Sequence, residues 1–517
     1  MLRTILPSEM KRVEQKVMAQ TAVTSSVLME RAAGYVAQAA ASYLFQNERP
    51  VLCLCGTGNN GGDGLAAMRL LAGEHPFFQG TCLLLPGSLS PDAALQLEQL
   101  QAQAPQVTIW RLTGADLPPL PKRPACVLDA LFGTGLSRPL EGMAAKLCQV
   151  ANDYFEAGVP VVAVDIPSGL NGATGQAKDP WVRATQTVTF HRPKPGLYLG
   201  QGMDTCGQLQ VADLGLPSEL DDGEGLWVLE EKDLPLLLPP RRHDSHKGTY
   251  GRVLLWAGSP GMAGAAALCA TAALRAGAGL VTVACDERIL STVQILAPCA
   301  TCLPLPMDDP KRAAERLTRG LEKADVLALG CGLGQSESSA RLFQALLSYL
   351  TQTNTEHSLP VVIDADGLNL LAKNGLCPPN CFLTPHPAEA ARLLGWETRR
   401  VTADPVEAAG ELRKRFQASV LLKGAASVLA APEGLGLNVL GTPAMAKGGS
   451  GDVLTGVLAA LLAGTKAGAY SLTALEALQA ACALHGLAGL AAEKRRGQRG
   501  VLATDLCDFL GLPEENQ

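Results

Sequence analysis

The sequence predicts two α/β domains in succession, the first built on a doubly wound, mostly parallel sheet. Three observations carry this. Short continuous apolar runs alternate with helical patterns along the chain, as strands buried on both faces do. Glycine-rich turns follow many of those runs, where a parallel sheet opens its ligand crevice. And 517 residues exceed what one hydrophobic core organises.

Taken in order, 8–20 and 25–43 read as helices and Val51–Cys55 as a short apolar strand. The strand runs into the glycine loop Gly56–Gly64, and a helical pattern follows over 65–72. Further strands are expected at 81–85, 126–129, 161–165, 187–190 and 208–213, with helices at 91–103 and 142–157. The acidic turn 221–225 and the three prolines within 234–240 mark a linker region. The domains are therefore placed at 1–220 and 230–510. In the second, strands are expected at 253–257, 280–284, 325–329, 361–364 and 382–384, with a small-residue helix at 263–276. Three close runs, 419–422, 427–431 and 437–440, leave no room for a crossover helix and read as a meander. Helices then run through Gly489.

Composition narrows the function classes. Hydrophobic residues make up 47% and charged residues 18%, a globular balance. The net charge of -6 and the lack of a basic block exclude an electrostatic footprint for nucleic acid or an anionic membrane. The N-terminus has no signal-peptide core, and the apolar runs read as too short to span a bilayer, so a cytoplasmic protein is expected. Most of the 15 cysteines lie in apolar runs, such as Cys53, Cys55, Cys82, Cys126, Cys269 and Cys482. They read as buried reduced thiols, and Cys299 with Cys302 lacks a second pair to complete a zinc site.

Three features fall at strand carboxyl ends in the first half: Gly56–Gly64, Asp129-Ala130-Leu131-Phe132-Gly133-Thr134-Gly135-Leu136, and Asp165-Ile166-Pro167-Ser168-Gly169. Their hard oxygens, from Asn60, Asp129 and Ser168, carry one full carboxylate charge and suit a monovalent cation. Asp63 and Asp165 are candidate acid/base groups; helix capping and turn shaping are the bland alternatives. In the second half, Ala446–Gly456 places four glycines and Asp452 at the start of an apolar helix. Such a start aims free N–H groups at an anion, and Asp452 makes sense there as the base for a hydroxyl that attacks phosphate. His386 between two prolines, Lys423 before Gly424, and Asp364 with Asp366 also follow strands.

Asn59-Asn60-Gly61-Gly62-Asp63-Gly64 and the two Asp-led motifs resemble the NAD(P)H-hydrate epimerase domain, which is Rossmann-like. The resemblance implies binding of hydrated NADPH by Asn59, Asn60, Gly61, Gly62 and Asp63. It extends this to Gly133, Thr134, Gly135, Leu136, Ser137, Arg138, Pro139 and Asp165. It implies K+ at Asn60, Asp129 and Ser168, with Asp165 as the catalytic acid/base. Residues 230–510 resemble the ADP/ATP-dependent NAD(P)H-hydrate dehydratase domain, which has a ribokinase-like α/β fold. Substrate contacts are implied at Ala265, Gly332, His386 and Asp452. Adenine-nucleotide contacts are implied at Lys423, Gly424, Ala425, Ala426, Ser427 and Gly451. Asp452 would be catalytic, ADP the co-substrate, giving AMP and phosphate, and Mg2+ the bridging cation. Departures from the pattern are Thr57, Ser245, Ala388 and Ser427; Ala388 matters most, beside His386. Small-molecule substrates and a homo-oligomer are expected, with no nucleic-acid or membrane partner. The alternative reading is a ribokinase-like kinase of a small alcohol or vitamin precursor with an N-terminal nucleotide-binding module.

Overall fold

A computed structural model describes residues 1–44, 49–114, 116–135, 139–353 and 359–511. The chain divides into two compact units, 3–225 and 226–517, the second also taking Met1 and Leu2.

In the first unit the apolar runs form a seven-stranded, all-parallel sheet. Its order is Val107–Arg111, Gly80–Leu84, Val51–Cys55, Val127–Ala130, Val161–Val164, Gln186–Phe190, Gln208–Ala212. Val51–Cys55 is buried throughout, which is why its sequence is continuously apolar. Strand order reverses between Val51–Cys55 and Val127–Ala130, and a ligand crevice opens at such a point. Helix Pro91–Gln103 starts on a Ser90 cap, whose hydroxyl accepts the Ala93 N–H, with Pro91 in the first turn.

The stretch read as a glycine loop is mostly helix. Asn59–Glu74 is one helix capped at Gly58, so Asp63 lies within it and is not its cap. The glycines let this helix press on its neighbours. A β-carbon on Gly61 would lie 2.0 Å from the Gly56 carbonyl oxygen, and one on Gly64 would lie 2.5 Å from the Ala130 β-carbon.

The second unit holds an 11-stranded sheet. From Ser419–Leu422 through Cys381–Leu383, Val361–Ile363, Val326–Leu329, Arg252–Trp256 and Leu280–Asp286 to Thr301–Leu305 it is parallel. The meander is present: Ser419–Leu422, Ser427–Ala431 and Gly434–Asn438 pair antiparallel. Beyond it lie Trp227–Val228 and Leu2–Arg3. Order reverses between Val326–Leu329 and Arg252–Trp256, so the loops after those strands meet.

Several expectations need correction. Leu226, Val228, Leu229, Leu234 and Leu238 are buried, and the last three pack in the second unit's core, so the linker region is partly core. Val107–Arg111 and Thr301–Leu305 were not expected as strands. Among the described residues one helix, Ala474–Arg496, is long and apolar enough to cross a membrane, contrary to the reading of the apolar runs; 72% of its apolar window is buried. It is all-round apolar because it packs in the core. All 15 cysteines are free thiols.

Candidate active sites

In the first unit a cleft of about 630 Å3 opens at the reversal of strand order. It is lined by Asn59, Asn60, Asp63, Gly133, Thr134, Gly135 and Asp165, together with Glu14 and Lys194. Gly61 and Gly62 are buried in the helix below it, and Pro139 is exposed and not among the lining residues. Leu136, Ser137 and Arg138 lie outside the described residues.

Asp165 leaves its strand with φ 66, in the left-handed region that a non-glycine residue occupies at a cost of about 1–3 kcal/mol. What holds it there is a network. Asp165 Oδ1 accepts from Lys194 Nζ at 2.5 Å, from the Phe190 N–H at 3.3 Å and from the Thr189 hydroxyl at 3.2 Å. Lys194 has no exposed surface. Its ammonium also donates to the Phe190 carbonyl at 3.0 Å and to Thr189 Oγ1 at 3.2 Å. Sequence reading missed this lysine. The only local signal was a Lys among prolines after a strand.

Asp129 is buried beneath the cleft. Ser168 donates both its hydroxyl, at 2.6 Å, and its N–H, at 2.8 Å, to this carboxylate. Burial nevertheless pushes Asp129 up to about 6, against the pull of those hydrogen bonds. Ser168 Oγ also accepts from the Phe132 N–H, and a β-carbon on Gly133 would lie 2.9 Å from Asn60 Oδ1, so Ser168 and Asn60 both reach the Phe132–Gly133 turn. The Asn60 amide nitrogen is buried without a hydrogen-bond acceptor among the described residues. A buried carboxylate whose ionised form its hydrogen bonds only partly stabilise fits a bound cation that the protein alone does not supply. The donor class fits a hard cation such as K+.

Asp63 is fully buried and raised well above the usual carboxylate range, by burial first and then by Asp165, Glu14 and Asp92.

In the second unit Ser450–Lys466 starts at Gly449, whose φ of 93 only glycine adopts readily. The N–H groups of Gly451 and Asp452 have no acceptor among the described residues, which leaves the helix start open to an anion. Asp452 is pushed up to about 6, by burial first; a hydrogen bond from Cys331 opposes this, and Asp364 reinforces it. Lys423 lies beside this nest: a β-carbon on Gly451 would be 3.4 Å from its Nζ. Burial opposes the lysine's charge, but Asp364 and Glu389 outweigh it and raise Lys423. Its neighbours Gly424 and Ala425 are exposed, while Ala426 and Ser427 are buried where the next strand begins.

Ala265 and Gly332 meet where strand order reverses; a β-carbon on Gly332 would lie 2.9 Å from that of Ala265. His386 caps Pro387–Leu394. Its Nδ1 accepts the N–H groups of Ala388 and Glu389, so the neutral ring carries its proton on Nε2, 3.3 Å from Glu389 Oε1. Burial, then Lys423 and Arg392, lower its pKa. Ala388 is an ordinary helical residue in this capping box, so its β-carbon leaves the His386 turn intact. Asp364 points to Lys423 and Thr455 and makes no side-chain cap to the helix that it begins. Ser450 contacts the ring of His485, which burial lowers to about 4, an uncharged wall beside the nest.

Residues 25–196 match the family described as YjeF-related protein N-terminus, and residues 253–511 match NAD(P)H-hydrate dehydratase. The bifunctional NAD(P)H-hydrate repair enzyme Nnr of Moorella thermoacetica is 37% identical, over 98% of this chain and 95% of its own length. The enzyme of the same name from Escherichia coli is 37% identical over 97% and 92%. A solved ADP/ATP-dependent NAD(P)H-hydrate dehydratase from Bacillus subtilis, co-crystallized with ATP/Mg2+, is 31% identical, covering 55% of this chain and 96% of its own at TM-score 0.47. Matched over nearly its whole length, the chain belongs to the family of bifunctional NAD(P)H-hydrate repair enzymes.

Proposed function

We propose that the chain restores NADH and NADPH hydrated at C6 of the nicotinamide ring. The first unit interconverts the R and S epimers, and the second dehydrates the S form while consuming ADP to AMP and phosphate. The supporting observation is the pairing, in one chain, of an Asp165–Lys194 cleft with an open helix start that carries Asp452.

In the first unit Asp165 acts as acid/base at C6, and Asn59 to Asp63 with Gly133 to Gly135 hold the substrate. Asn60, Asp129 and Ser168 would hold K+, which would supply positive charge beside the turns that carry the substrate loops.

In the second unit Ala265, Gly332 and His386 hold the hydrated ring. His386, neutral, offers an Nε2–H donor. Lys423 to Ser427 and Gly451 hold the nucleotide. Hydroxide is a poor leaving group, so the C6 hydroxyl is phosphorylated first. Asp452 takes its proton; burial makes this carboxylate a stronger base than an exposed one. The free N–H groups of Gly451 and Asp452 stabilise charge on the transferred phosphoryl group. The ring nitrogen then expels phosphate. Asp364 and Asp366 act on the charge of Asp452 beside the nest, and hard oxygens of this kind would suit Mg2+, which would supply neutralisation of phosphate charge. The reading is tested by giving the protein pure S epimer and ADP: AMP and phosphate must form in step with reduced cofactor, and a stable phosphorylated product would instead support a kinase.

A further inference from the structure

Glu14, on helix Pro7–Gln20, faces the same cleft as Asp165 and Lys194, and no motif of the sequence picks it out. The two carboxyl groups are treated differently. Asp165 is fixed to the buried Lys194 ammonium at 2.5 Å. Glu14 has no hydrogen bond to its carboxyl among the described residues. Burial, then the charge of Asp165, push Glu14 up to about 7, while Lys194 pulls the other way. Asp63 also faces it, its own carboxyl raised well above the usual range by burial first, and Lys11 stands on the same helix at the cleft wall. The cleft thus presents an ion-paired carboxylate and a carboxylic acid near its midpoint at neutral pH. Environments that separate two carboxyl groups in this way mark a base and an acid.

We propose that Glu14 is the proton donor of the epimerisation, paired with Asp165 as proton acceptor, and that Lys194 is the positioning residue that keeps Asp165 in that role. This rests on the epimerase reading of the first unit. The Asp165 carboxylate takes the proton of the C6 hydroxyl. The oxygen's electron pair forms the C6=O bond, the C6–N1 bond breaks onto N1, and Glu14 gives its proton to N1. Rotation about C5–C6 presents the other face of the aldehyde. N1 adds to it, its proton returns to Glu14, and Asp165 returns its own to the oxygen. Protons and electrons balance, and nothing else is consumed.

The test follows interconversion of one purified epimer by the full chain without nucleotide, so that dehydration does not drain the S form. The epimers are resolved by chromatography on either side of neutral pH. Glu14 must be protonated to act, so the wild-type rate should fall as pH rises through about 7. Glu14→Gln should lower the rate by about 100-fold and abolish that fall, and Glu14→Asp should keep it. Thermal unfolding of the first unit, measured on each variant, checks that it is folded. Glu14→Gln with wild-type rate, or with a lower rate and an unchanged pH limb, overturns the proposal. A wild-type chain that does not exceed the uncatalysed rate overturns the epimerase reading itself.

Discussion

Lys423 Nζ lies 2.7 Å from Asp364 Oδ1, and the other oxygen of that carboxylate accepts the Thr455 hydroxyl at 2.8 Å. Lys423 follows the strand Ser419–Leu422, Asp364 begins the helix Ala365–Asn374, and Thr455 stands three residues beyond Asp452. One ion pair therefore joins three elements beside the proposed phosphate nest.

Asp364 is 1% exposed, so removing its partner leaves a buried charge. Lys423→Met should destabilise the second unit by about 3 kcal/mol in urea denaturation. Adding Asp364→Asn should return much of that, because the uncompensated charge goes with it. A double variant no more stable than Lys423→Met would show that the pair contributes through packing instead.

Asp452→Asn should slow dehydration of the S epimer by about 10²–10⁴-fold while leaving epimerisation untouched. The wild-type dehydration rate should fall as pH drops through about 6, because the base is active only when ionised and burial has raised its pKa to that value. Nucleotide-dependent kinetics on purified S epimer measure both.

Burial raises the Asp129 carboxylate, and a cation held beside it would relieve that cost. Replacing a bulky organic cation in the buffer by K+ should raise the thermal midpoint of the first unit. Asp129→Asn should remove this response, since the neutral amide no longer needs the charge.

Gly61→Ala should destabilise the first unit by roughly 2–3 kcal/mol, since its β-carbon would sit 2.0 Å from the Gly56 carbonyl oxygen, where only backbone can yield. Thermal unfolding reads this directly; an unchanged midpoint would show that the helix has room to retreat.

The glycine-rich loops at the ligand ends of both sheets were legible, because such turns after apolar runs mark the places where a backbone must approach something closely; the strand order was not. Val51–Cys55 and the Asp452 stretch stood out for this reason. Other parts were hidden by physics that is not local. Lys194 lies 29 residues from Asp165, and a lysine reads as exposed unless its partner is known. Glu14 looks like any polar residue of an amphipathic helix. Val107–Arg111 is an edge strand with three exposed residues, so its apolar signal is diluted. Thr301–Leu305, also at an edge, carries Pro304, which argues against an interior strand. Asn59–Gly64 read as loop because three glycines disfavour an isolated helix; here the close packing they allow decides.

The most direct test supplies the whole chain with a mixture of R and S hydrated NADH plus ADP and follows the near-ultraviolet band of the reduced nicotinamide. Recovery of the entire mixture, with AMP and phosphate formed in equal amounts, is the result expected of two coupled repair sites in one chain. Recovery that stops once the S form is spent, or advances into the R form only at its uncatalysed rate, would contradict it.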